Sequence, residues 1–99
     1  MATPIYLLIL AKGVTEAYYQ LSEEEQKNLW AKVGAIDERA GAKRHIFCDS
    51  RWADESIFDW GVVEYPSMEA YRQKVKELED INFWRYFSAK TILGTKMEN

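Results

Sequence analysis

The chain has 99 residues, 47% of them hydrophobic and 14% aromatic, with two prolines. That is the size of one compact domain over residues 1–99, with enough apolar surface to offset the entropy of folding, which argues against intrinsic disorder. A net charge of −3 without a dense basic run leaves no electrostatic footprint for nucleic acid or an anionic membrane. The one cysteine, Cys48, has no partner for an internal disulfide, and neither a metal-ligand cluster nor a secretory apolar region is present, so a reducing cytoplasmic setting is expected. The longest apolar run, Ile5 to Ala11, is too short to span a bilayer as a helix.

Pro4 to Ala11 is a continuous apolar run closed by Lys12-Gly13, the pattern of a strand buried on both faces. Residues 12–21 are polar around Tyr18 and Tyr19 and predict a loop or short turn. Ser22-Glu23-Glu24-Glu25 is a capping box with three carboxylates at the positive end of the helix dipole, so a helix begins at about Glu23. Leu29, Trp30, Val33, Ile36 and Ala40 give it one apolar stripe, and Gly41 provides the stop. Alternation from Lys43 to Ser50 predicts a half-buried strand with His45, Phe47 and Asp49 on one face. A connection over residues 51–56 leads to a strand from Ile57 to Tyr65. Pro66-Ser67 then opens a second amphipathic helix marked by Tyr71, Val75 and Leu78. Asp80 is expected to cap a short turn through Phe87, and the last strand is predicted over Ala89 to Thr95.

The order strand, helix, strand, strand, helix, strand predicts a ferredoxin-like βαββαβ α+β fold. Both helices lie on one face of a four-stranded antiparallel sheet, with the first and third strands central. Large apolar side chains occupy both faces of those strands, and helices on one side cannot cover them all. At about 25 cal/mol per Å², a wet sheet face forgoes several kcal/mol, and such patches are rare on monomers. Pairing two sheets about a two-fold axis covers both, so a homodimer forming a barrel is expected.

Four stretches resemble the darcynin family of the dimeric α+β barrel superfamily: Ile5-Tyr6-Leu7-Leu8-Ile9-Leu10-Ala11-Lys12, Leu21-Ser22-Glu23-Glu24-Glu25, Phe47-Cys48-Asp49 and Phe83-Trp84-Arg85-Tyr86-Phe87. The resemblance covers nearly the whole chain and implies the fold and the dimer, but no particular reaction. It further implies that any chemistry occurs in a cleft between helices and sheet. In the superfamily's cofactor-free oxygenases, tryptophan, asparagine and tyrosine line that cleft, which draws attention to Asn82, Trp84 and Tyr86.

His45 is the only histidine, and a shared face with Asp49 would make it a general acid/base oriented by the carboxylate. The competing reading is an exposed histidine on an edge strand. Asp59 interrupts an apolar strand, where an unpaired carboxylate is costly, so it is either a pocket base or a partner of Arg44, Arg85 or a lysine. Asp37 follows Trp30 and Gly34 at helical spacing and puts a carboxylate beside a glycine that is expected to permit close packing against the sheet, the alternative being room for a ligand. Tyr6, Trp30 and Trp60, with Trp84 and Tyr86, are expected to shape the pocket walls. Phe83 and Phe87 anchoring a short helix is the alternative account of the last cluster. The mixed charges of residues 72–80 are expected to form a solvated helix face. No phosphate loop, zinc pattern or nucleophile elbow occurs, and no cofactor or metal is expected.

These features point to a homodimer that binds a small aromatic or polyketide-like metabolite and acts on it as a cofactor-free isomerase, cyclase or dehydratase. His45, Asp49 and Asp59 are the expected proton carriers. The alternatives are a non-catalytic carrier, a structural dimer module, and a cofactor-free monooxygenase.

Overall fold

The computed structural model describes residues 2–53 and 55–98. Its elements are β1 (Ile5–Val14), α1 (Glu16–Tyr19), α2 (Glu23–Arg39), β2 (Lys43–Asp49), β3 (Asp59–Tyr65), α3 (Met68–Asp80), α4 (Phe83–Tyr86) and β4 (Phe87–Gly94). The antiparallel sheet has the order β2-β3-β1-β4, so β3 and β1 are central and the helices cover one face. This is the ferredoxin-like α+β fold. No helix among the described residues is long and apolar enough to cross a membrane.

The helix signals act as the sequence indicates. Ser22 Oγ accepts from the Glu25 amide at 3.1 Å, and the Glu25 carboxylate accepts from the Ser22 amide at 2.9 Å, which closes the capping box of α2. Gly41 follows the last turn at φ +74°, the left-handed conformation that ends a helix at least cost in glycine. Ser67 caps α3 by accepting from the Ala70 amide.

Several details differ from expectation: β3 begins at Asp59 and not at Ile57, and β4 at Phe87 and not at Ala89. β1 runs on to Val14 through an irregularity between Ala11 and Gly13, and the expected loop contains α1, tied to α4 by Thr15 Oγ1 donating to the Arg85 carbonyl at 2.6 Å. Asn82, at φ 56°, stands at the cap position of α4 where Asp80 was expected, because α3 continues through Asp80. Lys74, in the segment expected to be a solvated face, is buried. It lies on the same stripe as Tyr71, Val75 and Leu78, so the helical period overrides its charge.

Alternation along the central strands sets the two faces. Leu7, Ala11, Val63 and Tyr65 point to the helices and are buried; Leu7, Val63 and Tyr65 form one cluster with Ala40, against which Tyr71 packs, and a second is formed by Leu29, Ile36, Leu78 and Phe83. The registers Tyr6↔Glu64, Leu8↔Val62 and Leu10↔Trp60 carry the other set to the opposite face, where no helix of the described residues lies. Cys48 and Ile46 on β2 and Ile92 on β4 extend that apolar row across all four strands.

Candidate functional site

A cavity of about 390 Å³ lies between the helices and the sheet, a volume in the range of small-molecule pockets. The α2 turn contributes Trp30, Val33, Gly34 and Asp37; α3 contributes Tyr71, Lys74 and Leu78; Phe83, Trp84 and Phe87 close one end. The strands supply the floor through Leu7, Ile9, Val63 and Tyr65. Arg44, Phe47 and Asp59 form the solvent-facing end, where the Arg44 guanidinium carbon lies 3.9 Å from the centre of the Phe47 ring. That ring lies flat on Gly61, where a Cβ would collide with it, so glycine at this strand position is a packing requirement. Gly34 is the reverse case. A Cβ there would meet nothing within 4 Å, so this glycine borders empty space and does not serve the expected close packing.

Aromatic and aliphatic side chains share the walls. Trp30 meets the edges of Phe83 and Phe87 at centroid distances of 5.9 and 5.8 Å and donates its indole N–H to Tyr18 Oη at 2.8 Å. Trp84 packs on Phe83 at 5.0 Å. Edge-to-face pairs of this kind hold ring positions more firmly than area burial alone. The two tryptophans thus each pack on Phe83 and leave the space between α2 and α3 unfilled.

One polar chain interrupts these walls. Lys74 Nζ donates to Tyr65 Oη at 2.6 Å, and Tyr65 Oη donates to Asp37 Oδ1 at 3.0 Å. Lys74 Nζ itself stands 3.5 Å from the same carboxylate oxygen. Tyr65 is fully buried and Lys74 is 9% exposed, whereas Asp37 is only half-buried. Burial disfavours the ammonium and lowers the Lys74 pKa, with Asp37 opposing that shift. Burial, then the Asp37 charge, pushes the Tyr65 phenol upward, and burial raises Tyr71 as well. A cation, a phenol and a carboxylate therefore meet on one wall of a largely apolar space. Such a set can hold a polar ligand group and transfer a proton to or from it.

The structure divides the residues expected at the site. Trp30, Asp37, Asp59 and Trp84 border the cavity. Tyr6, His45 and Trp60 are on the opposite sheet face. His45 does not share a face with Asp49, because pairing on β2 shifts between Arg44 and Ile46 and the irregularity turns the imidazole over. Its Nε2 instead donates to Glu64 Oε1 at 2.7 Å beside the Tyr6 ring, and this bond holds the Glu64 carboxyl below its ordinary value. Asp49 is engaged by the Arg51 guanidinium at 3.1 and 3.2 Å and lies outside the cavity, near its Arg44–Asp59 end. Asn82 is exposed at the α4 cap, and Tyr86 faces a separate shallow cleft with Leu21 and Leu29. Among the described residues, no three His, Cys, Asp or Glu side chains are grouped to hold a metal ion.

The sequence reading missed Tyr65 and Lys74. The usable signal for Lys74 was its place in the Tyr71-Lys74-Val75-Leu78 stripe, and for Tyr65 its parity with Val63 and Asp59.

Fold and site together define a ferredoxin-like α+β protein with a ligand-sized, aromatic-walled cavity beneath its helices. No family model and no curated protein matches the chain, so the darcynin likeness rests on the sequence motifs alone. Solved structures do match. The RPA0582 protein of unknown function from Rhodopseudomonas palustris is similar at a TM-score of 0.69 and 15% identity, over 100% of this chain and 86% of that one. The methylated RPA0582 protein gives 0.63 at 16% identity, over 99% and 84%. SnoaB, a cofactor-independent oxygenase from Streptomyces nogalater, gives 0.56 at 13% identity, over 99% and 97%. At such identities the likeness establishes the fold.

Proposed function

We propose that this chain binds a small aromatic or polyketide-like metabolite in the cavity under α2 and α3 and catalyses proton transfer on it without a cofactor. The observation that carries the reading is the Lys74–Tyr65–Asp37 chain on the wall of that aromatic space. A carbonyl compound with an acidic C–H bond suits it. Asp37, the most accessible member, takes the proton. The Lys74 ammonium stabilises the enolate oxygen that develops, as a preorganised charge in a water-poor site. Return of the proton to another carbon gives isomerisation. Asp59 and Arg44, at the solvent-facing end, meet the polar part of the ligand that remains outside the aromatic walls.

The test is deuterium exchange of the acidic C–H of bound aromatic ketones in D₂O, followed by NMR. Wild-type protein accelerates exchange; Asp37→Asn loses the acceleration while still binding; Gly34→Phe, which fills the space beside the carboxylate, loses both. Exchange no faster than in buffer across a panel of bound ketones overturns the catalytic reading in favour of a carrier that releases its ligand unaltered. The likeness to SnoaB favours a second reading, in which the deprotonated ligand reacts with molecular oxygen. Oxygen uptake coupled to ligand loss distinguishes it.

The same proposal includes a homodimer through the uncovered sheet face. Leu8, Leu10, Val62 and Trp60 form its centre, Ile46 and Ile92 remain 51% and 48% exposed, and Lys43, Lys90 and Glu64 supply charges of both signs at its margins. A self-complementary pairing buries the row and can set lysine against glutamate. Sedimentation of wild type as a dimer and of Val62→Lys as a folded monomer is the expected result. A monomeric wild type at high concentration contradicts it.

A further inference from the structure

An amine inside an apolar cavity differs chemically from one on a surface. Lys74 is buried among Tyr65, Tyr71 and Leu78, whereas every other lysine of the chain is exposed. Its nitrogen has a phenol at 2.6 Å and a carboxylate oxygen at 3.5 Å, and those two groups are bonded to each other at 3.0 Å. The site therefore holds a nucleophile in waiting, a group to receive its proton, and a phenol positioned to relay that proton in both directions.

We propose that Lys74 condenses with a ketone or 1,3-dicarbonyl group of the cavity's ligand and holds it as an imine. This rests on the reading that the cavity takes a carbonyl-bearing metabolite; in it the Lys74 iminium takes the place of the ammonium as the charge that stabilises the deprotonated ligand. The ammonium first gives a proton, through Tyr65, to Asp37. The neutral amine attacks the carbonyl carbon, forming the C–N bond as the C=O π pair moves to oxygen. Proton transfer from nitrogen to that oxygen gives a neutral carbinolamine. Asp37 then returns its proton to the hydroxyl, the C–O bond breaks, water departs, and the nitrogen lone pair forms C=N. One ammonium and one carbonyl become one iminium and one water, and Asp37 ends as the carboxylate beside the new cation. The iminium withdraws electrons from the neighbouring carbon more strongly than the carbonyl it replaces, so it makes removal of the adjacent C–H proton easier.

The titratable and charged groups around the amine are Asp37 from α2, Tyr65 and Asp59 from β3, Tyr71 from α3 and Arg44 from β2. Asp37 favours the ammonium, while burial favours the free amine and is the larger effect. Lys74 should thus react at a pH where exposed lysines are almost wholly protonated.

The test uses acetylacetone, which condenses with a free amine to an enaminone with loss of one water and a new near-ultraviolet absorption band. Wild-type protein is treated at neutral pH and the modified lysines are located by peptide mass spectrometry. The expected result is one diketone less one water per chain, on Lys74, at least about tenfold faster than on any exposed lysine. Tyr65→Phe retains the site but slows the reaction, because the proton relay is lost. Site mapping in wild type needs no variant to fold. Modification spread over exposed lysines, or none, while aromatic ketones still raise the melting temperature, overturns the covalent step and leaves the binding reading intact. No adduct and no binding by any ketone removes both.

Discussion

The two faces of the sheet are built from neighbouring residues of the same strands and have different fates. On the helix-covered face, Leu7, Val63 and Tyr65 are buried around a cavity bordered by the hydrogen-bonded Lys74–Tyr65–Asp37 chain. On the other face, Leu8, Val62 and Ile92 form an apolar row with His45 and Glu64 paired at its margin. The comparison teaches that hydrophobicity alone does not locate a site. Both faces are greasy, and the uncovered one carries an open hollow of about 410 Å³ beside Tyr6, Leu8, Val62 and Ile92, but the more enclosed space under the helices is the one that the Lys74–Tyr65–Asp37 network borders.

The strongest way to test the contrast is to truncate adjacent leucines. Leu7→Ala should cost about 2–5 kcal/mol, since Leu7 is 1% exposed in the core. Leu8→Ala should cost about 1 kcal/mol within the folded chain, with its larger effect on association. Denaturant unfolding across a range of protein concentrations separates the two. Equal losses at every concentration would mean that the faces are energetically alike.

Tyr65→Phe comes next. Removing the hydroxyl leaves Lys74 and Asp37 without their shared partner at a buried position, which should cost about 1–3 kcal/mol. The pH dependence carries the same information. Tyr65 and Tyr71 are held above their ordinary value of 10.0, so in strong alkali the unfolded chain releases phenolic protons that the folded chain keeps, and stability falls as pH rises past about 10. Lys74 acts in the opposite sense. Its folded affinity for protons is lowered from the ordinary 10.5, so it adds stability as pH climbs toward that value. Chemical denaturation between neutral pH and strong alkali should show the fall beyond pH 10 in wild type and a smaller fall in Tyr65→Phe.

The smallest effect sharpens the reading of the cavity. Gly34→Ala adds a methyl group that meets nothing within 4 Å, so it should stabilise α2 by up to about 1 kcal/mol. A loss of stability measured by thermal unfolding would mean that the glycine serves close packing after all.

The elements were legible because their signals are local. Ser22 with Glu25, Gly41 and Ser67 state where helices begin and end, and the strand order follows from short connections and handed crossovers. The side of the sheet that holds the cavity was not legible, since β1 is apolar at both odd and even positions and gives period-two reasoning nothing to discriminate. Tyr6 and Trp60, expected among the pocket walls, lie on the opposite face for that reason. His45 was misplaced for a different reason. A single irregular residue pair on β2 reverses the parity of everything before it, and nothing in Lys43 to Asp49 announces it. Lys74 was obscured by Arg72, Lys76, Glu77 and Glu79, whose charges make the segment read as a solvated face although the helical period puts Lys74 inside. Asp37 was found because its spacing from Trp30 and Gly34 is the same whichever sheet face the helix covers.

The central claim is that the ligand enters beneath the helices. Amide and methyl NMR of the labelled protein, titrated with aromatic ketones, tests it most directly. The account predicts saturable shifts centred on Gly34, Val63, Lys74, Val75 and Thr91, with Leu8, Val62 and Ile92 unchanged. Shifts confined to Leu8, Val62 and Ile92, or none with any ketone at solubility-limited concentration, would contradict it.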